Sequence, residues 1–553
     1  MPFLAETHIS IPNKDLLSWM FDDPSYDKDK PIYIDAANTS RTICYRKAFS
    51  ITRKLAAGFK AAGVKKGDCV CMLAFNDIYY SMAFMGIVAS GGVFAGQNPS
   101  YTPYELAHGM RTAKVRFMLV EPDTNMLKNA VAAAKDTGLP LSSLFLFDVL
   151  GQKLSEETLA AVPEARELRS WDWLLNQGES DWERFDDKKR SEETPAARLF
   201  SSGTTGMPKA LDMTHMNFVA QHTMVMEYRP RPYDIRRILC NPMFHASQVP
   251  RGHTSAIRGG YPTYVMRRFE LEPWLRNIEK YNITEINMVP QMVYMILNSP
   301  ASKKYSLKSI KNAHSGSAPL DREPQVRFKE EFFNKDTPFN QGWGMSETSC
   351  VCTMYYYPEY DPTGGVGKMM PNLDAKLIDD DGNDISAYDV RGELCVRGPT
   401  IINGYFENPE ANARDWDSEG YFKTGDIAYC SSENKYWYVV DRKKELIKVR
   451  GFQVAPKELE GVLVGHPKIY DAAVIGVKYA RDDTELPRAY VVLTPGSQMT
   501  EDEVKEYASK RLARYKHLVG GVRFIDELPR NANKKLLKNK LREMAQKEIG
   551  AKL

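Results

Sequence analysis

Strand-like runs alternate with helix-like runs over most of the chain, and no internal repeat or low-complexity tract interrupts them. That alternation is the pattern of sheets covered by helices, so an α/β architecture is expected. Helical periodicity is clearest in TRKLAAGFKAAG from Thr52, LAHGMRTA from Leu106, EPWLRNIEKYN from Glu272 and DEVKEYASKRLARY from Asp502. Strand candidates include DCVCML from Asp68, RFMLV from Arg116, YVVLT from Tyr490 and RFIDEL from Arg523. The most apolar stretch, SMAFMGIVASGGVFAG from Ser81, is broken by glycines and serines short of the roughly 18 residues a spanning helix needs. It reads as a buried helix and strand, with no membrane span. The segment from Ser155 to Thr194 is highly charged and is expected to be a surface excursion.

At about 150 residues per domain, a chain of 553 residues allows three or four structural units. Near residue 441 the texture changes, because DRKKELIKVR places five basic residues directly after Asp441. A boundary is set there, giving domains 1–440 and 441–553. The formal net charge of +3 gives no electrostatic reason to expect nucleic acid as a partner. MPFLAETHISIPNKD lacks a basic start and a continuous apolar block, so an intracellular protein is expected. The eight Cys include no CxxC pair, and no HExxH occurs; they read as buried small side chains rather than disulfide or zinc partners.

The sharpest local signal is LFSSGTTGMPKAL, Leu199 to Leu211. A short apolar strand runs into small residues whose backbone N–H groups can approach phosphate oxygens, with hydroxyls and Lys209 adding donors and charge. It is not a Walker A loop, since the glycine spacing is wrong and Ala210 stands where Ser or Thr would hold magnesium. Downstream, Gly316, Ser317, Ala318 and Pro319 form a small-residue turn against which a flat base could lie. QGWGMSE offers Trp343 for stacking and Glu347 for a hard cation. KTGD places Asp426 on a tight turn where a carboxylate can accept the hydroxyls of a ribose.

These strings resemble the adenylate-forming superfamily of acyl- and aryl-CoA synthetases, nonribosomal adenylation domains and beetle luciferases. The resemblance spans the chain, from NPSYTPYELA at Asn98 through SSGTTGMPK, NPMFH, SGSAPL, QGWGMSET, RGELCVRGPTIINGYFENPEA, YFKTGD and DRKKELIKVRGFQVAPKELE to LPRNANKK. NPSYTPYEL and GFQVAPKELE look most like the coumarate-CoA ligase and luciferase branch. It implies a large N-terminal domain of packed α/β sheets with a small barrel-like subdomain, and a small mobile α+β C-terminal domain.

By the same resemblance Ser201, Ser202, Gly203, Thr204, Thr205, Gly206 and Lys209 line the ATP phosphates. Gly316, Ser317, Ala318, Gln341, Gly342, Trp343 and Ser346 surround the nucleotide, and Glu347 with Thr204 holds magnesium. Asp426 and Arg442 hold the ribose, Lys444 sits at the hinge with Lys448 nearby, and Lys535 bridges the substrate carboxylate and the α-phosphate. His245 lies beside the acyl pocket, while Arg268, Arg450 and Gly451 correspond to positions near CoA. The implied catalytic set is Lys535, Glu347, Lys209 and His245, and the implied reaction is adenylation of a carboxylic acid followed by transfer to CoA.

Three departures stand out. Ala210 replaces a glycine, and Lys534 replaces the glycine before the catalytic lysine, which leaves open a rival reading as a nucleotide-binding protein without catalysis. ASQVPRGHTS from Ala246 brings Arg251 and His253 into a stretch that is mostly apolar in coumarate-activating relatives. Those side chains imply a polar acid, or else face away. A carrier-protein thiol in secondary metabolism is an alternative acceptor to CoA. The terminal Ala551, Lys552 and Leu553 resemble a peroxisomal import signal, so a peroxisomal location is expected, cytoplasmic otherwise.

Overall fold

The computed structural model describes residues 1–149, 151–201, 208–449, 452–478, 484–512, 514–530 and 536–550. Two seven-stranded, mostly parallel sheets form the bulk of the N-terminal part. The first runs in the order Arg169–Ser170, Leu144–Leu146, Val115–Val120, Cys69–Leu73, Val93–Gln97, Pro195–Ser201 and Lys209–Thr214, with only the last pair antiparallel. The second runs Phe339–Gln341, Asn312–Ser315, Glu285–Met288, Arg237–Leu239, Thr263–Val265, Pro31–Asp35 and Thr42–Cys44. All five residues of Cys69–Leu73 are buried, as a continuous apolar run in a parallel sheet requires when both faces are covered.

The stretch that read as a buried helix and strand is one: Tyr80–Ala89 is a helix with all ten residues buried, and Val93–Gln97 follows as a strand of the first sheet. A helix apolar on every side has no solvent face to present, which fits a position in the core. It packs on the helix Tyr45–Ala62, whose end is closed by Gly63 at φ +98°. The helix Pro103–Thr112 starts at a capping box, Thr102 with Glu105, written in the sequence as TPYE. Asn76 ties the sheets together, donating to the carbonyls of Asn241 and Met266 at 3.0 and 3.1 Å and accepting from the Met243 N–H at 2.9 Å.

The charged segment 155–194 is not merely a surface excursion. Trp171 and Trp182 within it are 1% and 5% exposed and join the main core, while its acidic and basic residues stay outside. Truncating an aromatic packed this way typically costs about 3–5 kcal/mol, so the segment is a structural flank whose charges conceal two anchors.

The expected barrel-like unit is a four-stranded antiparallel sheet, Asp374–Ile378, Gly392–Arg397, Phe422–Cys430 and Trp437–Arg442. Its last strand continues to Arg442, and the hairpin Ile447–Val449 with Phe452–Val454 begins just beyond. The C-terminal part holds a three-stranded sheet, Ile469–Val477, Leu486–Leu493 and Val522–Phe524, with helices Pro456–Val464, Glu501–Ser509 and Lys538–Gly550. No helix among the described residues is long and apolar enough to cross a membrane.

Candidate active site

The carboxyl ends of parallel strands converge on a cleft of about 700 Å³. Ser201, Met288 and Ser315 are the final residues of their strands, and all three line it. This is where open α/β sheets offer unpaired backbone groups to ligands. The hairpin Pro195–Ser201/Lys209–Thr214 pairs Ser201 with Lys209, so both ends of the glycine-rich loop stand at the cleft wall. Ser202, Gly203, Thr204, Thr205 and Gly206 lie outside the described residues.

Lys209 Nζ stands 3.6 Å from the Tyr405 ring centroid and 3.2 Å from Asp415 Oδ2. On the same tyrosine, the hydroxyl donates to Glu347 Oε1 at 2.9 Å. A cation and a carboxylate therefore flank one aromatic residue, and Tyr405, inside the string GYFENPEA, is a site residue that sequence reading did not single out. Burial raises the Glu347 carboxyl above the usual carboxylate range, and the Tyr405 hydroxyl with the Arg442 and Lys209 charges only partly offsets it. A buried carboxylate short of positive charge is a fitting oxygen ligand for a hard cation. Among the described residues no group of three or more His, Cys, Asp and Glu gathers to hold a metal by itself.

Antiparallel pairing sets Asp426 directly opposite Arg442, and the two form an ion pair at 2.7 Å. The other Asp426 oxygen accepts from the Trp343 indole N–H at 2.8 Å. Arg442 and Trp343 line the cleft while Asp426 sits behind them. Each Asp426 oxygen thus holds one protein partner and keeps a further lone pair as acceptor. Trp343 is only 8% exposed, so little of its ring is open for stacking.

Gly316, Ser317, Gly342 and Ser346 line the cleft as expected, and His245 does too. The His245 Nδ1 stands 3.2 Å from the Ser247 backbone N and 2.9 Å from the Ser247 Oγ, which fix the ring's orientation. Gln341 and Ala318 do not line it. The Gln341 carboxamide clamps the backbone of Leu320 instead, accepting from its N–H and donating to its carbonyl, both at 2.8 Å. That clamp fixes the backbone directly after the Gly316–Pro319 turn. Arg268 is exposed and paired with Glu270 at 3.0 Å, and Lys444 and Lys448 are exposed; none of the three lines the cleft. Arg450, Gly451 and Lys535 lie outside the described residues.

The backbone beside Glu347 is tightly specified. A methyl group on Gly344 would stand 1.8 Å from the Cys350 carbonyl oxygen, so only glycine fits. Ser349 and Cys350 take φ of +54° and +109°, a strained geometry for side-chain-bearing residues that often marks functional sites.

The sequence pattern of the AMP-binding enzyme matches residues 22–406, and that of the AMP-binding enzyme C-terminal domain matches 458–535. The chain belongs to the AMP-binding enzyme family. Among characterised relatives of this AMP-binding enzyme, the phenylacetyl-CoA ligase epaB of Aspergillus niger is 48% identical over 99% of this chain and 100% of its own. The acyl-CoA ligase azaF of the same species is 48% identical over 98% and 100%. Among solved structures, ATP-bound MatB from Rhodopseudomonas palustris shares the fold, with a TM-score of 0.82 at 24% identity over 98% and 100% of the two chains.

Proposed function

We propose that this AMP-binding enzyme is an ATP-dependent acyl-CoA ligase that turns a carboxylic acid into its adenylate and then into its CoA thioester. The observation that carries the reading is the cleft that Lys209, Glu347, Trp343 and Arg442 line together, with Asp426 bonded to the last two. The full-length similarity to acyl-CoA ligases supports the same reaction.

A carboxylate is a poor electrophile, so it must be activated. In the first step a carboxylate oxygen attacks the α-phosphorus of ATP, the bond to the pyrophosphate oxygen breaks, and pyrophosphate leaves. Two anions meet here, so positive charge must stand where negative charge builds up. Lys209 and Lys535 are the side chains proposed to supply it. Ser201 Oγ and Ser315 Oγ, buried at the cleft wall without a hydrogen-bond partner among the described residues, are suited to further polar contacts. Glu347, with Thr204, would hold a magnesium ion, which when bound neutralises phosphate charge. In the second step the CoA sulfur, having lost its proton, attacks the acyl carbon, the bond to the phosphate oxygen breaks, and AMP leaves. A thiol can enter only if Lys535 withdraws, which is the reason proposed for carrying it on a small unit beyond the Lys443–Glu445 turn.

Incubation with ATP, magnesium, CoA and a panel of acids is expected to release AMP and pyrophosphate and form acyl-CoA. AMP release without an acyl-CoA product would overturn CoA as acceptor in favour of a carrier-protein thiol, and ATP binding without acid-dependent pyrophosphate exchange would overturn catalysis altogether. Import into peroxisomes through Ala551, Lys552 and Leu553, which lie outside the described residues, is part of the same proposal. A fluorescent protein ended by these three residues is expected in peroxisomes, and a diffuse cytoplasmic signal would remove this part.

A further inference from the structure

Three guanidinium groups and one carboxylate gather at one part of the cleft, with Arg231, Arg251 and Glu285 lining it and Arg237 bonded to Glu285. Glu285 is set opposite Arg237 by strand pairing, and its Oε2 accepts from Arg237 Nε and Nη2 at 3.0 and 2.9 Å. Its Oε1 receives the Tyr233 hydroxyl at 3.1 Å and lies 3.3 Å from Arg231 Nε. Both oxygens of the only carboxylate in the cluster are therefore taken. Burial would raise the Glu285 carboxyl, but Arg237 and Arg231 outweigh it and hold it down at about 2. Glu227, the next acidic residue, is committed to Arg258 at 2.8 Å.

Arg251 is the third guanidinium. Among the described residues none forms a hydrogen bond or an ion pair with it, yet it lines the cleft beside Arg231, Glu285 and His314. It sits in the wide π-helical turn Val249–Ser255, an uncommon geometry that recurs at functional sites. Burial and the Arg237 charge lower it to about 10, so it stays protonated at neutral pH. Glu285 offsets this only in part, and two further neighbours add no charge: burial and Arg251 itself lower His314 to about 3, and burial raises the Cys350 thiol to about 11, leaving both neutral. Behind Arg251 is a second cavity of about 20 Å³, where Gln221 Nε2 and His222 Nδ1 are buried without partners. His253, the other polar residue of this stretch, turns away and stacks on Phe84 at 4.8 Å in the core. With Glu285 already shared between Arg237 and Arg231, the Arg251 guanidinium facing the cleft is left short of negative charge, and a planar fork of donors selects a carboxylate.

We propose that the acid activated here carries a second carboxylate, which pairs with Arg251 in this part of the cleft while the first is adenylated. The proposal rests on the acyl-CoA ligase reading above and names its substrate class. An anion there brings the cluster of three cations and one carboxylate closer to balance, and the orphaned Gln221 and His222 atoms give the buried terminus further polar contacts.

The test compares matched pairs of acids, straight-chain monocarboxylates against α,ω-dicarboxylates of equal length, and phenylacetate against 3-(carboxymethyl)benzoate. The wild-type enzyme is expected to favour the best dicarboxylate by at least about 10-fold in kcat/KM. In Arg251→Met the dicarboxylate-to-monocarboxylate ratio is expected to fall at least about 100-fold, with Arg251→Lys between, because a site built for a polar group loses its discrimination when the partner is removed. The ATP KM is a readout that a general collapse of the site would move and a lost specificity contact would not. A wild-type enzyme that turns over only monocarboxylates would overturn this inference and leave the ligase reading standing, as would an unchanged ratio in Arg251→Met. Failure to turn over any acid would overturn the ligase reading itself. If Arg251→Met does not fold, the wild-type comparison decides alone.

Discussion

Replacing Lys535 with alanine is expected to slow acid-dependent ATP–pyrophosphate exchange by about 10²- to 10³-fold, the usual effect of removing one charge-stabilising donor from a transition state. Thioester formation from preformed acyl-adenylate and CoA is expected to stay within a few-fold of wild type. The asymmetry follows from the chemistry: only the first half-reaction brings a carboxylate against a triphosphate. Measuring the two half-reactions separately checks it. Lys534→Ala is the control. If it, and not Lys535→Ala, abolishes exchange, Lys534 is the active lysine and the register assigned from LPRNANKK is off by one.

Replacing Glu347 with glutamine is expected to move activity and stability in opposite directions. Burial raises the Glu347 carboxyl above its ordinary value, so the folded chain binds a proton at this position more tightly than the unfolded chain does. Stability from this group is then fully present below the unfolded value and is lost as the pH rises through the folded value. At neutral pH the ionised side chain is a net cost to the ligand-free protein. Glutamine has the same shape, carries no charge and can still accept from the Tyr405 hydroxyl, so the Tm of the ligand-free variant is expected to rise at pH 7 and to match wild type near pH 4. Adenylation is expected to fall about 100-fold because the proposed magnesium ligand is lost, with a raised magnesium requirement as the diagnostic. A lower Tm at pH 7 would show that the carboxylate is stabilising as it stands, contrary to this account.

The two halves of the site differed in how much of them could be read in advance. Lys209, Glu347, Trp343 and Arg442 each belong to a short string whose residue types suit one part of a nucleotide, and all four line the cleft. Asp426 and Arg442 were each read as ribose-holding residues, and that the Asp426 carboxylate bonds both Arg442 and Trp343 was not legible, because a turn motif carries no information about what pairs across the sheet. Gln341 shows the same limit: its string points to the nucleotide, whereas its carboxamide holds Leu320. Tyr405 and Asp415 were missed because a tyrosine and an aspartate in a surface-like string have no distinguishing spacing. Trp171 and Trp182 were missed for the opposite reason, since the charges around them dominate the local pattern while the rings alone decide burial.

The sequence by itself determined the α/β class, the family, the hairpin that carries the glycine-rich loop and the order of the strings that reach the cleft, because these depend on local periodicity and on glycine-bearing turns encoded within a few residues. Only the tertiary structure decided which of Arg251 and His253 faces the cleft. One helical stretch delivers His253 to the aromatic core and Arg251 to the cleft, and the difference lies in what the sheets place beside it. The excess of positive charge at that part of the cleft was equally invisible in a chain of near-neutral net charge. It arises because folding brings Arg231, Arg237 and Arg251 around Glu285, and electrostatic balance is a property of distances in space, not of composition.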